Sequence, residues 1–311
     1  MKCICISEFM DADAVQALKP GFDLRYEPGW VDRREALLDA VGEAHALVVR
    51  NRTQVDAALL ARAPALRVVG RLGVGLDNID VEACRARGIR VIPAAGANAR
   101  SVAEYVVTTA AMLWRGAYLS SAAVAQGEWP RPRLSEGREA AGKTLGLIGF
   151  GDIGRLTATL AQAFGMRVVA HDPMLAADDA VWARTGVTPL SLDVLLAESD
   201  AVSLHVPLVP ATRHLIDARR LAAMRPGAVL INSARGGVVD EAALAQALRE
   251  GHLAGAALDV FEREPLPAGS VLAGVPNLVL TPHIGGVTRE ANTRVSMYIA
   301  EHVRQALEAL S

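Results

Sequence analysis

Three side chains of this 311-residue chain point most plainly to chemistry: Arg235, Glu264 and His283. Each stands a few residues beyond a short apolar run that reads as a buried strand. Arg235 follows Ala228–Ile231, Glu264 follows Gly255–Leu258, and His283 follows Leu278–Leu280. A histidine titrates near neutrality, so it can take a proton from a hydroxyl group or return one to a carbonyl oxygen. A carboxylate beside it, such as Glu264, favours the imidazolium form and raises its pKa. An arginine holds a carboxylate bidentately while polarising the adjacent carbonyl. Together the three suit the interconversion of a secondary alcohol and a ketone next to a carboxylate. Singly, each is explained as well by a buried ion pair or a capping contact.

A fourth motif offers a place for a redox cofactor. Gly149-Phe150-Gly151-Asp152-Ile153-Gly154 follows the strand pattern Thr144–Ile148 and opens a helical pattern that runs through Phe164. Gly149 permits the tight turn, Gly151 lets a pyrophosphate approach the backbone, and Gly154 lets helix and strand pack closely. The phosphates then sit at a helix N-terminus, where unpaired N–H groups and the dipole favour anions. Asp172 ends the next strand, about twenty residues on, where a carboxylate accepts hydrogen bonds from the adenosine ribose. It also repels a 2′-phosphate, which favours NAD over NADP. His171 reads as a neighbour of the adenine end. Ligands of parallel sheets bind beyond the carboxyl ends of the strands, so the loops of Arg235, Glu264 and His283 are expected to line the cofactor cleft.

These motifs require a scaffold of parallel strands. Strand patterns at Cys3–Ser7, Phe22–Tyr26, Ala46–Val49, Arg67–Val69 and Arg90–Ile92 alternate with helical spacing over Arg33–Val41, Val55–Ala61 and Val81–Arg87. A second series starts at Lys143, with strand patterns at Thr144–Ile148, Arg167–Ala170, Ala201–Leu204, Ala228–Ile231, Gly255–Leu258 and Leu278–Leu280. This rhythm predicts an α/β protein with two doubly wound parallel-sheet domains. Between the series, a nearly all-apolar helix is expected over Val102–Trp114. Its start falls near Asn98–Ser101, with Ser101 and Glu104 at capping-box spacing. So apolar a helix should be buried between domains or subunits. Gln126–Arg138 reads as an exposed connection, and a final helix over Arg289–Leu310 should pack back on the first domain. The expected organisation is a discontinuous, flavodoxin-like substrate domain (1–98 and 288–311) holding an inserted Rossmann NAD domain (99–287), with the site in the cleft between them.

Composition narrows the function. Hydrophobic residues make up 51% and charged residues 21%, enough for large buried cores, and the length suits about two domains of about 150 residues. Acidic and basic residues nearly balance, with a net charge of −2, so the field of a nucleic-acid or anionic-membrane binder is absent. Three cysteines cannot form a disulfide framework or a four-ligand zinc site; Cys3 and Cys5 read as core thiols, and no metal is expected. No uncharged apolar run nears the ~20 residues that span a bilayer, and Glu8 and Asp11 interrupt any secretory signal. A cytoplasmic protein is the expectation.

The chain resembles the D-2-hydroxyacid dehydrogenases over nearly its whole length. The resemblance is carried by Val49-Arg50-Asn51-Arg52-Thr53, by Gly70 through Asp80, by Gly96 through Glu104 and by the glycine loop. His205-Val206-Pro207-Leu208, Arg235-Gly236-Gly237, Asp259-Val260-Phe261-Glu262 and Pro282-His283-Ile284-Gly285-Gly286 complete it. It implies the roles already derived for Arg235, Glu264 and His283, with NAD as cofactor. It further implies Asp152 and Ile153 at the pyrophosphate, Asp172 at the ribose, and Ala234 and Asp259 near the nicotinamide. Val102, Pro207 and Thr212 would lie along the groove, and Gly149, Gly151, Gly154 and Gly286 complete the cofactor set. It implies a homodimer joined through the NAD domains, which would bury the Val102–Trp114 helix. Beyond Leu310 there is no room for the regulatory domains of some phosphoglycerate dehydrogenases, so feedback through such a domain is not expected.

In this family the loops at Asn51 and at Leu72, Gly73, Val74 and Gly75 hold the small-molecule substrate from the first domain. Backbone N–H groups at Leu72–Gly75 form an expected carboxylate nest. Arg50, Arg52 and Arg71 nearby suggest a 2-hydroxy acid with a second anion on carbon three. Phosphoglycerate is one candidate. Sulfolactate is another, because Ile6 through Asp11 together with Arg50 through Gln54 resemble sulfolactate dehydrogenases. If the arginines are surface cations, glyoxylate or hydroxypyruvate reduction is the alternative. From another class, corepressor-like NAD sensors reuse this fold and these residues, but no appended partner-binding region is evident here.

Overall fold

Strands such as Thr144–Ile148 and Val229–Asn232 are buried at every position, which is the mark of a parallel sheet covered on both faces. The computed structural model describes residues 1–310. It divides into two units, Met1–Asn98 with Val287–Ser311, and Ala99–Gly286.

The first unit is a five-stranded sheet of β1 (Lys2–Ile6), β2 (Phe22–Tyr26), β3 (Ala44–Val49), β4 (Val68–Arg71) and β5 (Arg90–Pro93), in the order β2-β1-β3-β4-β5. All pairs are parallel. This is the flavodoxin-like order, and its switch point, where a ligand is expected, falls between β1 and β3. The helix Arg289–Glu308 supplies the last layer. Its residues Val295, Ile299, Val303 and Leu307 recur every four positions and join Ile4, Ile6, Val48 and Val68 in one core. Gly70 on β4 makes that approach possible, because a Cβ there would lie 2.7 Å from Val303 Cγ2. The helix is pinned to Asp11, the cap of the helix Ala12–Leu18: Thr293 Oγ1 donates to Asp11 Oδ2 at 2.9 Å, and Asp11 N donates to Ser296 Oγ at 3.0 Å. Cys3, Cys5 and Cys84 are free and buried; burial pushes the Cys5 thiol up to about 12, which leaves it inert.

The second unit is a seven-stranded parallel sheet of β6 (Thr144–Ile148), β7 (Arg167–His171), β8 (Thr188–Pro189), β9 (Ala201–Leu204), β10 (Val229–Asn232), β11 (Gly255–Leu258) and β12 (Leu278–Leu280). The order β12-β11-β10-β9-β6-β7-β8 is that of a Rossmann sheet with one added strand, reversing between β6 and β9. β8 has no counterpart in the sequence reading: two residues ending in a proline at a sheet edge leave no alternation to detect. The short helix Ala12–Leu18, capped by Asp11, was likewise not foreseen.

The apolar helix forms as Ala99–Arg115, starting within the expected Asn98–Ser101 but without the Ser101–Glu104 capping box. Ser101 lies inside it and is buried, and Glu104 pairs with Arg100 one turn away. Val106, Val107, Ala110 and Trp114 pack with Leu145, Leu147 and Ile231, within the core of this same unit. These residues are covered within the unit itself, while Ala111, Met112 and Leu113 stay half-buried. The connection after it is exposed as expected, with Trp129 75% exposed, but holds a short helix at Arg131–Leu134. Among the described residues, no helix is long and apolar enough to cross a membrane, and no cluster of His, Cys, Asp and Glu could hold a metal ion.

Candidate active site

The loops that follow β10, β11 and β12 converge on one histidine–glutamate pair. His283 Nδ1 lies 2.7 Å from Glu264 Oε2, and the other oxygen, Oε1, accepts Phe261 N at 3.1 Å. Both side chains are about one-third exposed. Burial pushes the Glu264 carboxyl up, but the hydrogen bond and charge of His283 outweigh it and hold the group below the ordinary carboxylate value. The charge of Arg235 works in the same direction. Arg235 Nη1 donates to Ala234 O at 2.6 Å. Its loop is folded by Asn232, whose Oδ1 accepts Ala234 N at 3.0 Å while Nδ2 donates to Arg235 O at 2.9 Å. Gly236 presses this loop onto the one bearing Glu264, since a Cβ there would fall 1.7 Å from Phe261 O.

His283 adopts a left-handed backbone, with φ 55°. Asp259 holds it there. Asp259 O accepts His283 N at 2.8 Å, Oδ1 accepts Ile284 N at 2.8 Å and Thr281 Oγ1 at 2.6 Å, and Oδ2 accepts Gly285 N at 2.7 Å. The sequence reading set Asp259 beside the nicotinamide. Asp259 is 1% exposed, and its carboxylate is engaged by three donors from the histidine loop. Thr281 is tied in turn to Tyr105 Oη at 2.8 Å.

The glycine loop fits a dinucleotide. Gly149 has φ +95°, and a Cβ on it would meet His205 O at 2.5 Å. A Cβ on Gly154 would lie 2.5 Å from Gly149 O, the close helix–strand contact that its position requires. A Cβ on Gly151 would meet nothing, so the space above the helix Asp152–Ala163 is open to a pyrophosphate. No side chain caps that helix, which leaves its first N–H groups for the ligand. Asp172 is fixed by Phe150 N at 2.8 Å and Met174 N at 2.9 Å. It borders a cavity of about 340 Å³ with His171, Pro173, Leu190 and Ser191, where an adenosine would lie.

Val102 is buried in the core, and Asp152 pairs with Arg155 on its own helix at 2.8 Å. Thr212 braces its own loop, donating to Pro207 O at 2.6 Å and accepting Val209 N at 2.9 Å. Ile153, Ala234 and Gly286 are half-buried, and Pro207 is exposed.

In the first unit, Glu8 and Asn78 shape the loop after β3. Glu8 is 5% exposed; its carboxylate accepts Arg50 N at 2.8 Å, Thr53 N at 2.9 Å and Arg52 N at 3.2 Å. Asn78 Nδ2 donates to Thr53 O at 2.7 Å and Arg50 O at 3.3 Å. Asn51 is left exposed at the tip. The three arginines expected near the loop pair make different contacts, Arg50 with the amide of Asn292. Arg52 pairs with Asp32 at the surface, and Arg71 folds over Gly73 to donate to Leu72 O at 3.2 Å. The nest is also smaller than expected, because Leu72 N donates to Val49 O and Gly73 N to Arg71 O, both at 2.8 Å. Val74 and Gly75 are its free donors among the described residues.

Residues 107–285 match the family model described as "D-isomer specific 2-hydroxyacid dehydrogenase, NAD binding domain". The chain belongs to this dehydrogenase family. An (S)-sulfolactate dehydrogenase of Chromohalobacter salexigens is 57% identical over 99% of each chain. A D-3-phosphoglycerate dehydrogenase of Mycobacterium tuberculosis is 44% identical over 98% of this chain, which spans 56% of that relative's length. Among solved structures, a protein of Thermus thermophilus superposes with a TM-score of 0.90 at 37% identity, covering 99% of this chain and 97% of that one.

For this NAD-dependent dehydrogenase, sequence reasoning missed the residues that hold others in place. Gly236, Asp259 as a loop anchor, Glu8 and Asn78 act through backbone contacts with residues distant in sequence, and Asn232 through the turn just after it. Asn232 alone carried a signal, as a polar residue ending an apolar strand two positions before a bend.

Proposed function

We propose that this dehydrogenase interconverts a 2-hydroxy acid bearing a second anion on carbon three with its 2-oxo acid, sulfolactate and sulfopyruvate being the favoured pair. The observation that carries this reading is Arg50. It is a half-buried cation just beyond β3, at the switch point of its sheet, and its guanidinium is bonded to a neutral amide. The relative named (S)-sulfolactate dehydrogenase supports the same choice. Its (S) descriptor agrees with D-isomer specificity: a CH2–sulfonate branch outranks the carboxylate, so the D arrangement that is (R) in lactate becomes (S) in sulfolactate.

The residues divide the work by chemistry. Bound NAD supplies the hydride acceptor or donor at C4 of its nicotinamide. His283 takes the hydroxyl proton in oxidation and returns it in reduction. Its Nδ1 is engaged by Glu264, so Nε2 is the nitrogen that serves the substrate. Arg235 holds the substrate carboxylate and polarises the C2 oxygen. In the first unit, Val74 and Gly75 offer backbone N–H donors to the substrate, with Asn51 at the neighbouring loop tip, and Arg50 takes the second anion. Gly149, Gly151, Gly154 and Asp172 hold the cofactor, and the carboxylate of Asp172 selects NAD by repelling a 2′-phosphate.

One specific observation favours a second reading, hydroxypyruvate or glyoxylate reduction: Arg52 and Arg71 are engaged within the chain. NADH oxidation across sulfopyruvate, phosphohydroxypyruvate, hydroxypyruvate, glyoxylate and pyruvate decides between them. A preference for the sulfonate or phosphate that falls at least about tenfold in Arg50→Ala supports the second-anion site. Equal kcat/KM on all five, unmoved in the variant, makes this a general reductase. NADH binding with no turnover of any 2-oxo acid would revive the sensor reading. We also propose a cytoplasmic homodimer joined through the NAD unit, with exposed Tyr118 and Trp129 in the contact; a monomer in equilibrium sedimentation overturns it.

A further inference from the structure

Arg50 differs from other arginines of its unit in what it bonds. Arg25, Arg34, Arg52 and Arg62 each pair with an aspartate or glutamate. Arg50 Nη2 instead donates to Oδ1 of Asn292, 2.6 Å away and 242 residues later in the chain. The nearby carboxylate, Glu8, has its oxygens occupied by three backbone N–H groups. Among the described residues, no carboxylate stands within ion-pair distance of the Arg50 guanidinium.

A cation withdrawn from water ordinarily requires a counter-charge. Burial lowers the proton affinity of this guanidinium, and the charge of Glu8 only offsets that in part. The ring of Phe9, 5.8 Å from the guanidinium carbon, is a further neutral neighbour. Asn292 itself is firmly held. It closes the first turn of the helix Arg289–Glu308, which bonds Asp11, the cap of the helix Ala12–Leu18, through Thr293 and Ser296.

We propose that Asn292 is a specificity-determining positioning residue: its neutral amide aims the Arg50 guanidinium without cancelling its charge, so the cation is completed by the anion on carbon three of the substrate. This rests on the second-anion reading of Arg50 and adds the residue that makes the reading work. An aspartate at 292 has the same shape and can accept the same hydrogen bond, but it brings its own negative charge to Arg50. It would compete with a sulfonate or phosphate and leave uncharged-tail substrates without that competitor.

The test is steady-state kinetics of wild type, Asn292→Asp, Asn292→Ala and Arg50→Ala on sulfopyruvate and pyruvate, at saturating NADH. The quantity read is the ratio of kcat/KM on the two substrates. In Asn292→Asp it should fall at least about tenfold, with most of the change in the KM for sulfopyruvate. In Asn292→Ala, where only the orienting bond is lost, the expected fall is about threefold. If Asn292→Asp does not fold, Asn292→Ala decides alone. A wild-type ratio near one overturns the second-anion reading and this inference with it. A wild-type preference that collapses in Arg50→Ala but persists in both Asn292 variants overturns this inference alone.

Discussion

Glu264 grips His283 with one carboxylate oxygen and its own loop with the other: Oε2 lies 2.7 Å from His283 Nδ1, and Oε1 accepts Phe261 N at 3.1 Å. The imidazole is thus referenced to the backbone after β11, although it grows from the loop after β12. If His283 is the proton carrier, His283→Ala lowers kcat by about 10²–10⁴-fold, the usual contribution of positioned acid–base catalysis. NADH affinity, followed by fluorescence titration, should change little. A variant that retains kcat removes His283 from the reaction.

The pH dependence follows from Glu264. Its folded value lies below the ordinary 4.5, so its contact with His283 is complete above that value and is lost as pH falls through the lowered one. In the direction of oxo-acid reduction, kcat should stay level down to about pH 4.5 and decline only below it. Glu264→Gln should lack this acid limb and have a lower kcat throughout. A limb in the wild type centred near pH 6 contradicts the assignment.

Gly236 tests the packing of the two loops. An alanine there forces the Arg235 and Glu264 loops apart, because its Cβ has no room beside Phe261 O. We expect Gly236→Ala to lose about 2 kcal/mol in urea denaturation, a typical overpacking cost, and to lose activity with it. Wild-type stability and turnover would mean that the loops separate freely.

Asp172 tests cofactor choice. Asp172→Ala removes the ribose acceptor and the charge that opposes a 2′-phosphate. The KM for NADH should rise about tenfold, and the NADH-over-NADPH preference in kcat/KM should narrow. An unchanged preference places the discrimination elsewhere.

What the sequence made legible was whatever repeats locally. The continuous apolar runs of the buried strands, the Gly149–Gly154 turn and polar residues at strand ends such as Arg235 and His283 each have a signature within a dozen residues. Long-range closure has none. Nothing near Glu8 in sequence tells that its carboxylate receives three N–H groups from the loop after β3, and nothing near Asp259 tells that it anchors the His283 loop. The contacts of Arg50 and Arg52 were hidden for the same reason: their partners Asn292 and Asp32 become neighbours only in the fold.

The left-handed backbone of His283 implies a conflict between durability and turnover. A non-glycine residue at φ 55° carries a conformational cost of about 1–2 kcal/mol, met here by the hydrogen bonds of Asp259. Replacing His283 by glycine would relieve that cost and abolish the proton carrier in one step. His283→Gly and His283→Ala both lose the Glu264 contact, but only the glycine escapes the left-handed cost, so it should melt a few degrees above the alanine variant. Backbone ease at this position and the proton carrier are thus mutually exclusive.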